Sequence, residues 1–142
     1  MDTSFRPREP YRSKAQIVTQ SVAIDTLTAN ATTTIHIPTP ARRAFVLSAT
    51  IHQGTVAADS DGAINATLKR WDDSAGSGVS MSSAYNMEAA TARRAERLTM
   101  LGGSSRVKAK EDTLYLDVVN DSAAINTQPA NAFVVVELAL LD

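Results

Sequence analysis

The chain has 142 residues, of which 44% are apolar and 20% are charged, and its formal net charge is −1. These totals are typical of one soluble globular domain and exclude collagen-like, strongly disordered and membrane-spanning classes. The small net charge excludes a partner chosen by long-range electrostatics, and the absence of cysteine excludes disulfides and thiolate zinc sites. No apolar run follows Met1, so we expect no secretory signal and folding in the cytoplasm.

The first fourteen residues, MDTSFRPREPYRSK, lack the apolar period of a helix or a strand. Their two prolines hold the backbone extended, so the segment could reach roughly 40 Å. We therefore expect an extended N-terminal arm over residues 1–14 and a folded domain over residues 15–142.

The arm is better suited to contact with a protein than with nucleic acid. Its four cations are offset by two acids, and neutralising about four phosphates would give only weak, salt-dependent binding. Its aromatic groups can instead fill apolar pockets of a partner subunit, while its arginines pair with carboxylates at the rim. The predicted partner-binding residues are Phe5, Arg6, Arg8, Tyr11 and Arg12.

After the arm, short runs rich in Val, Ile, Thr and Leu alternate with Gly, Asn, Asp, Ser and Pro, a pattern typical of an all-β protein. The pattern predicts eight strands. These are Gln16–Ile24, Thr32–Ile37, Ala44–Gln53, Ala63–Trp71, Val79–Ser83, Ala95–Leu101, Thr113–Val119 and Ala132–Leu140.

Alternation within two of these runs indicates strands with one buried face and one wet face. The apolar face of the third run comprises Phe45, Leu47, Ala49 and Ile51. That of the fourth comprises Ile64, Ala66 and Leu68. The last run, AFVVVELALL, is apolar on both faces before Glu137, which predicts a central or covered strand.

One segment, YNMEAATARRAERL, has the composition of a helix, with Asn86 as a potential N-cap. We predict one short helix over Asn86–Arg93, followed by a return to strand. Eight short antiparallel strands predict an antiparallel β-sandwich of jelly-roll type.

Motifs for catalysis and metal binding are missing. His36 and His52 lie in strands without a ligand at metal-binding spacing, and no G-x-S-x-G, H-E-x-x-H or Walker motif occurs. The stretch DSDGA at 59–63 begins like a calcium loop but has Arg70 where a bidentate Glu belongs. We expect no enzyme activity, no catalytic residues, no metal site and no cofactor.

A carbohydrate-binding module is the alternative from another functional class, because many such modules are β-sandwiches that stack sugar rings on exposed aromatic side chains. Trp71 and Tyr85 are the pair of aromatic residues that this interpretation nominates as a ligand face. A half-buried Trp at the edge of the core is the favoured explanation of Trp71.

The order of turn, strand, loop and closing strand resembles that of the small jelly-roll decoration, or cement, proteins of tailed bacteriophage heads. The stretches that carry the resemblance are SAYNMEAATARR at 83–94, KEDTLYLDVVNDSA at 110–123 and ANAFVVVELALLD at 130–142. They cover the C-terminal half of the chain and are strand patterns rather than catalytic signatures.

The resemblance implies a structural virion protein on the outer surface of the capsid, assembled in the host cytoplasm. It implies a homo-oligomer, with a trimer favoured, that bridges neighbouring major capsid proteins. From the sequence itself, which has no apolar stretch long enough to span a bilayer, we expect no membrane partner. A structural role at the neck or tail would give the same sequence pattern, so that alternative stays open beside the carbohydrate-binding module.

Overall fold

The computed structural model describes residues 16–59, 62–121 and 123–141, and within them the chain forms ten β-strands and two 3₁₀ turns. The strands are β1 Gln16–Ala23, β2 Ala31–Ile37, β3 Ala44–Thr55, β4 Ile64–Asp72, β5 Ser77–Ser80, β6 Tyr85–Asn86, β7 Ala95–Arg97, β8 Val107–Lys108, β9 Thr113–Asn120 and β10 Ala130–Leu140. The turns are Met87–Ala89 and Gly103–Arg106. The predicted arm, residues 1–14, lies outside the described residues.

The strands form two antiparallel sheets. In the first, the order is β1-β10-β3, and β7 and β8 pair with different parts of β3. In the second, the order is β2-β9-β4, and β5 and β6 pair with different parts of β4. Strands β1 to β4 alternate between the sheets, and β9 and β10 return to the centres of the second and first sheets. This order is that of a jelly roll, and it confirms the predicted all-β sandwich.

The core lies between the sheets and is built from the inward-facing residues of the long strands. As predicted, Ile64, Ala66 and Leu68 of β4 are fully buried. Strand β10 lies between β1 and β3, which is the central position that its apolar sequence predicts. The inward residues of β9 and β10 are Leu114, Leu116, Val118, Val134, Val136 and Leu138.

The predicted apolar face of β3 is wrong in its first half. Glu137 of β10 pairs with Ser48, whereas the next residue, Leu138, pairs with Val46, so Leu47 is an extra residue in β3. Such a β-bulge reverses the faces on one side of it. Val46 therefore points into the core with Ala49, whereas Phe45 and Leu47, predicted inward, are only half-buried.

The predicted helix at Asn86–Arg93 is a single 3₁₀ turn at Met87–Ala89. Asn86 caps it as expected, because its Oδ1 accepts a hydrogen bond from the backbone N–H of Glu88 at 3.0 Å. The chain is extended again at Ala90, and the N–H of Arg93, which has a φ of 62°, donates to the carbonyl of Gln53 in β3. Pairing with the edge of β3 thus replaces the hydrogen bonds that would continue a helix.

Two predicted strands are shorter than expected because their ends pair with each other across one edge of the sandwich. The N–H of Ser83 donates to the carbonyl of Thr99 at 2.8 Å, and the N–H of Leu101 donates to that of Met81 at 2.9 Å. These bonds link the segment that follows β5 to the segment that follows β7. They connect the two sheets at that edge.

Candidate functional site

The five predicted partner-binding residues of the arm lie outside the described residues, so the candidate site is the end of the sandwich at which β1 begins. Gln16 of β1 pairs with Leu140, which in turn pairs with Ala44 at the start of β3. The same end of the sandwich carries the 38–43 loop, the turn between β4 and β5, and the 109–112 turn. Gln16, where the described part of the chain begins, is therefore at the same end as these three segments.

A groove of about 520 Å³ opens at this end, lined by residues 36–41 and 110–114. We call it the end groove. Pro38 and Pro40 lie on one side, and the charged pair Lys110 and Glu111 lies on the other. Because proline fixes its own backbone angle and removes an N–H donor, the loop on the first side is rigid and offers mainly apolar surface and carbonyl oxygens.

Lys108, beside the groove, has a fully buried side chain. Its ammonium group donates to three backbone carbonyls, those of Pro40 at 3.3 Å, Arg42 at 2.8 Å and Ala109 at 2.9 Å. Burial lowers the pKa of Lys108, against the opposing effect of the nearby Asp112 carboxylate. The bonds to Pro40 and Arg42 attach the 38–43 loop to β8, so the groove is already formed without a partner.

Asp112 fixes the opposite wall of the end groove and is itself buried. Its carboxylate accepts hydrogen bonds from the backbone N–H groups of Ala109 at 2.9 Å and Asp73 at 3.1 Å, and from Arg70 at 3.3 Å. The first bond closes the 109–112 turn, and the other two tie this turn to β4 and to the turn that follows β4. A rigid, open groove with a mixed apolar and polar lining suits an extended peptide segment.

A second surface lies on the outer face of the β2-β9-β4 sheet, and we call it the aromatic face. It comprises the side chains of His36, Trp71 and Tyr115, one from each of three adjacent strands. The rings of His36 and Tyr115 are 6.5 Å apart and tilted by 49°. Trp71 is 42% exposed, which is high for so large an apolar side chain. A shallow groove of about 340 Å³ runs across this face.

The structure does not bring Trp71 and Tyr85, the nominated ligand pair, onto one surface. Tyr85 pairs with Ala66, which points into the core, whereas Trp71 is five residues further along the same strand and points outward. Because side chains alternate along a strand, the two aromatic rings lie on opposite faces of the sheet. The Tyr85 hydroxyl is buried without a partner among the described residues, and burial raises its pKa, as does Glu96.

Sequence reasoning missed Tyr115 as a neighbour of Trp71. The alternation in TLYLD shows that Tyr115 points away from Leu114 and Leu116, but it does not show which strand lies beside β9. Only the sheet order, with β9 between β2 and β4, brings His36, Tyr115 and Trp71 together.

Within the described part of the chain, no three His, Asp or Glu side chains gather as they would around a metal ion. No helix among those residues is long and apolar enough to cross a bilayer.

The fold is similar to that of a chain in a solved structure described as "Cyanophage Pam1 capsid asymmetric unit". The similarity has a TM-score of 0.53 at 17% sequence identity, and it covers 89% of this chain and 86% of that chain. At this identity it shows a shared fold. No family model matches the sequence, and no curated protein matches it.

Proposed function

We propose that this protein is a structural component of a phage virion that binds the outer surface of the capsid and stabilises contacts between major capsid proteins. The observation that supports it most is the jelly-roll fold, which over most of its length is similar to a chain in a cyanophage capsid structure. The sequence resemblance to jelly-roll decoration proteins points to the same class. In this proposal the protein is not an enzyme, has no cofactor, and assembles onto the shell in the host cytoplasm as a homotrimer.

The proposed mechanism uses two contacts per chain. The arm, through Phe5, Tyr11 and its arginines, binds one capsid subunit, and the end groove binds a segment of its neighbour. The end groove lies at the end of the sandwich where β1 begins, and in this proposal the arm makes its contact from that same end. A chain that spans a subunit boundary gains avidity, because the second contact forms at a high effective concentration once the first is made.

Stabilisation of the shell then follows because binding of this protein is thermodynamically linked to assembly of the lattice. A ligand that binds the assembled lattice better than free capsid subunits shifts the equilibrium toward the lattice. The protein's net charge of −1 gives little long-range attraction, so recognition depends on close contacts. We therefore expect capsid binding to depend only weakly on salt.

Deletion of residues 1–14 tests the arm. Purified protein is added to expanded shells that lack it, and bound protein is measured by co-sedimentation. We expect the deletion to weaken binding at least about tenfold, the loss of a few anchoring contacts. Unchanged binding by the deletion variant would contradict the role of the arm.

Point variants separate a specific arm contact from a general effect of charge. The double change Arg6→Ala with Arg8→Ala should weaken binding several-fold, as should Phe5→Ala with Tyr11→Ala. The matched control is Arg94→Ala with Arg97→Ala, which removes two exposed arginines from another part of the domain. Equal losses in the arm and control variants would show that only total charge matters.

The alternative role, as a structural protein of the neck or tail, predicts that the protein is found in a different part of the virion. In that case the protein would co-sediment with purified necks or tails and not with shells. The same sedimentation assay on separated virion parts decides between the two locations.

A further inference from the structure

Tyr115 is a half-buried residue on the outer face of β9, and its side chain does not stand upright from the sheet. Its hydroxyl occupies the place where a Cβ of Gly78 would stand, and Gly78 lies in β5, two strands away from β9. Two strand spacings amount to about 9.6 Å, which a side chain standing upright from the sheet would not span. Tyr115 therefore lies along the sheet surface, across β4, and the glycine at position 78 leaves room for it.

The flattened Tyr115 forms part of a wider platform. Trp71 projects beside it from β4. His36 lies on its other side, in β2, and the ring centres of His36 and Tyr115 are 6.5 Å apart. These three rings and two threonines, Thr34 and Thr113, line the groove of about 340 Å³. The groove is open to solvent along the sheet and borders the end groove used in the proposed capsid contact, with which it shares His36 and Thr113, whereas Trp71, Tyr115 and Asp117 line this groove and not the end groove.

A fixed carboxylate lies at one side of this platform. Asp117 lines the groove, and its Oδ1 accepts a hydrogen bond from the Thr34 hydroxyl at 2.9 Å. Its Oδ2 pairs with the ammonium group of Lys69 at 3.3 Å. Each carboxylate oxygen has two lone pairs, so one lone pair on each remains for a ligand. The carboxylate is thus held in place with acceptor capacity to spare.

We propose that the aromatic face binds a pyranose ring of a neutral polysaccharide. The C–H face of a sugar ring stacks on aromatic side chains, and its hydroxyls donate to carboxylates and exchange hydrogen bonds with threonine. Asp117 and Lys69 neutralise each other, so this side of the groove favours an uncharged ligand over an anion. The volume is near the lower limit of small-molecule sites and suits one or two rings. This binding activity is separate from capsid binding.

The test uses a convenient property of the chain, since Trp71 is its only tryptophan. The full chain is screened on a glycan array, and oligosaccharides that bind are titrated while tryptophan fluorescence is recorded. We expect at least one neutral glycan to give a saturable change, with a dissociation constant of about 0.1–1 mM. No binding by any glycan on the array would overturn the proposal.

Three variants locate the binding. Tyr115→Ala removes the platform, and Asp117→Asn removes the charged acceptor. Gly78→Ala keeps every aromatic residue but displaces Tyr115, so it tests the platform without deleting a ring. Each should weaken glycan binding about tenfold or more. The matched control is Val119→Ala, since Val119 is 44% exposed on the same face of β9 but does not line the groove. Retained affinity in Tyr115→Ala and Gly78→Ala would overturn the assignment.

The arm is the other candidate occupant, because PREP at 7–10 is a proline-rich segment and such segments also dock on aromatic grooves. Deletion of residues 1–14 distinguishes the two. We expect the deletion to leave both the Trp71 emission of the free protein and its glycan affinity unchanged. A shift of the Trp71 emission on deletion would place the arm on this face and overturn the proposal. Capsid binding should be unaffected by Tyr115→Ala, so failure of one proposal is distinguishable from failure of the other.

Discussion

Lys108 shows at the scale of one residue how a buried charge can shape a surface. Replacing it with Met keeps the length of the apolar stem but leaves three carbonyls, those of Pro40, Arg42 and Ala109, without their donor. We expect Lys108→Met to lower the free energy of unfolding by about 3 kcal/mol in urea titrations. The control is Lys110→Met, at an exposed position of the 109–112 turn. We expect this change to alter the free energy of unfolding by less than about 0.5 kcal/mol. Equal effects of the two changes would contradict the account.

The lowered pKa of Lys108 also predicts that the free energy of unfolding depends on pH. Burial lowers its pKa from the usual 10.5. Between the lowered pKa and 10.5, the unfolded chain binds more protons than the folded protein, so the free energy of unfolding rises with pH. We expect the wild type to gain stability relative to Lys108→Met as the pH is raised through this range. Urea titrations at a series of pH values measure the difference, and a difference that is flat or falls would contradict the prediction.

A substitution at Tyr85 should stabilise the protein, in contrast to Lys108→Met. Its hydroxyl is buried without a partner among the described residues, and a buried unpaired hydroxyl costs free energy. Tyr85→Phe keeps the ring and removes the hydroxyl, so we expect the free energy of unfolding to rise by about 1 kcal/mol. Thermal unfolding of the two proteins tests this, and a clear loss of stability would reveal a hydrogen bond made by that hydroxyl.

At the scale of elements, the bulge in β3 depends on a side chain from the turn that precedes β8. Arg106 donates through Nε to the carbonyl of Val46 at 2.9 Å and through a terminal nitrogen to that of Leu47 at 2.6 Å. Its guanidinium also lies 4.8 Å from the centre of the Phe45 ring. These contacts satisfy the carbonyls of β3 in the gap between its partners β7 and β8.

We therefore expect Arg106→Ala to lower the free energy of unfolding by about 2 kcal/mol, because two carbonyls lose a charged donor and the ring loses its cation. Hydrogen exchange should quicken along β3 and β8 more than along β4 and β9. The exposed Arg97 provides the control as Arg97→Ala, for which we expect a change of less than about 0.5 kcal/mol. Uniform acceleration across both sheets in Arg106→Ala would contradict a local role.

The long elements were predictable from the sequence because their apolar residues alternate over many positions. All eight predicted strands correspond to strands in the structure, whereas β6 and β8 have two residues each and are too short to show a period. The bulge at Leu47 was not predictable, since it depends on the register with β10. The helical composition after Asn86 yielded to pairing with β3, which is a tertiary effect that local propensity does not include.

At the scale of the whole molecule, residues 16–59, 62–121 and 123–141 form both sheets of the sandwich. The described part of β1 pairs with β10 from Gln16 to Ala23, and in the proposed function the arm contacts a partner instead of adding to this ladder. We expect the deletion variant to unfold within about 0.5 kcal/mol of the wild type. A loss of several kcal/mol would mean that the arm completes its own sandwich, and the proposed contact with a partner would lose its basis.

The candidate sites are harder to predict from the sequence than the fold, because they depend on which strands lie side by side in each sheet. Turn residues and strand count indicate a jelly roll. Which residues are neighbours on a sheet surface depends on the order of the strands, and no local sequence pattern predicts that order. The sequence therefore nominates Trp71 with Tyr85, the next aromatic residue along the chain, although the neighbours of Trp71 on the outer face are Tyr115 and Thr113. The end groove likewise joins the 36–41 and 110–114 segments, which lie far apart in sequence.

The most direct test of the proposed function compares assembled and unassembled capsid protein. Purified protein is titrated into preformed expanded shells and, separately, into free capsid subunits, and the bound fraction is measured by sedimentation. We predict saturable binding to the shells at a fixed ratio to capsid protein, little binding to free subunits, and a higher melting temperature for decorated shells. Equal binding to both, or no binding to shells, would contradict the proposal that this protein stabilises the assembled lattice.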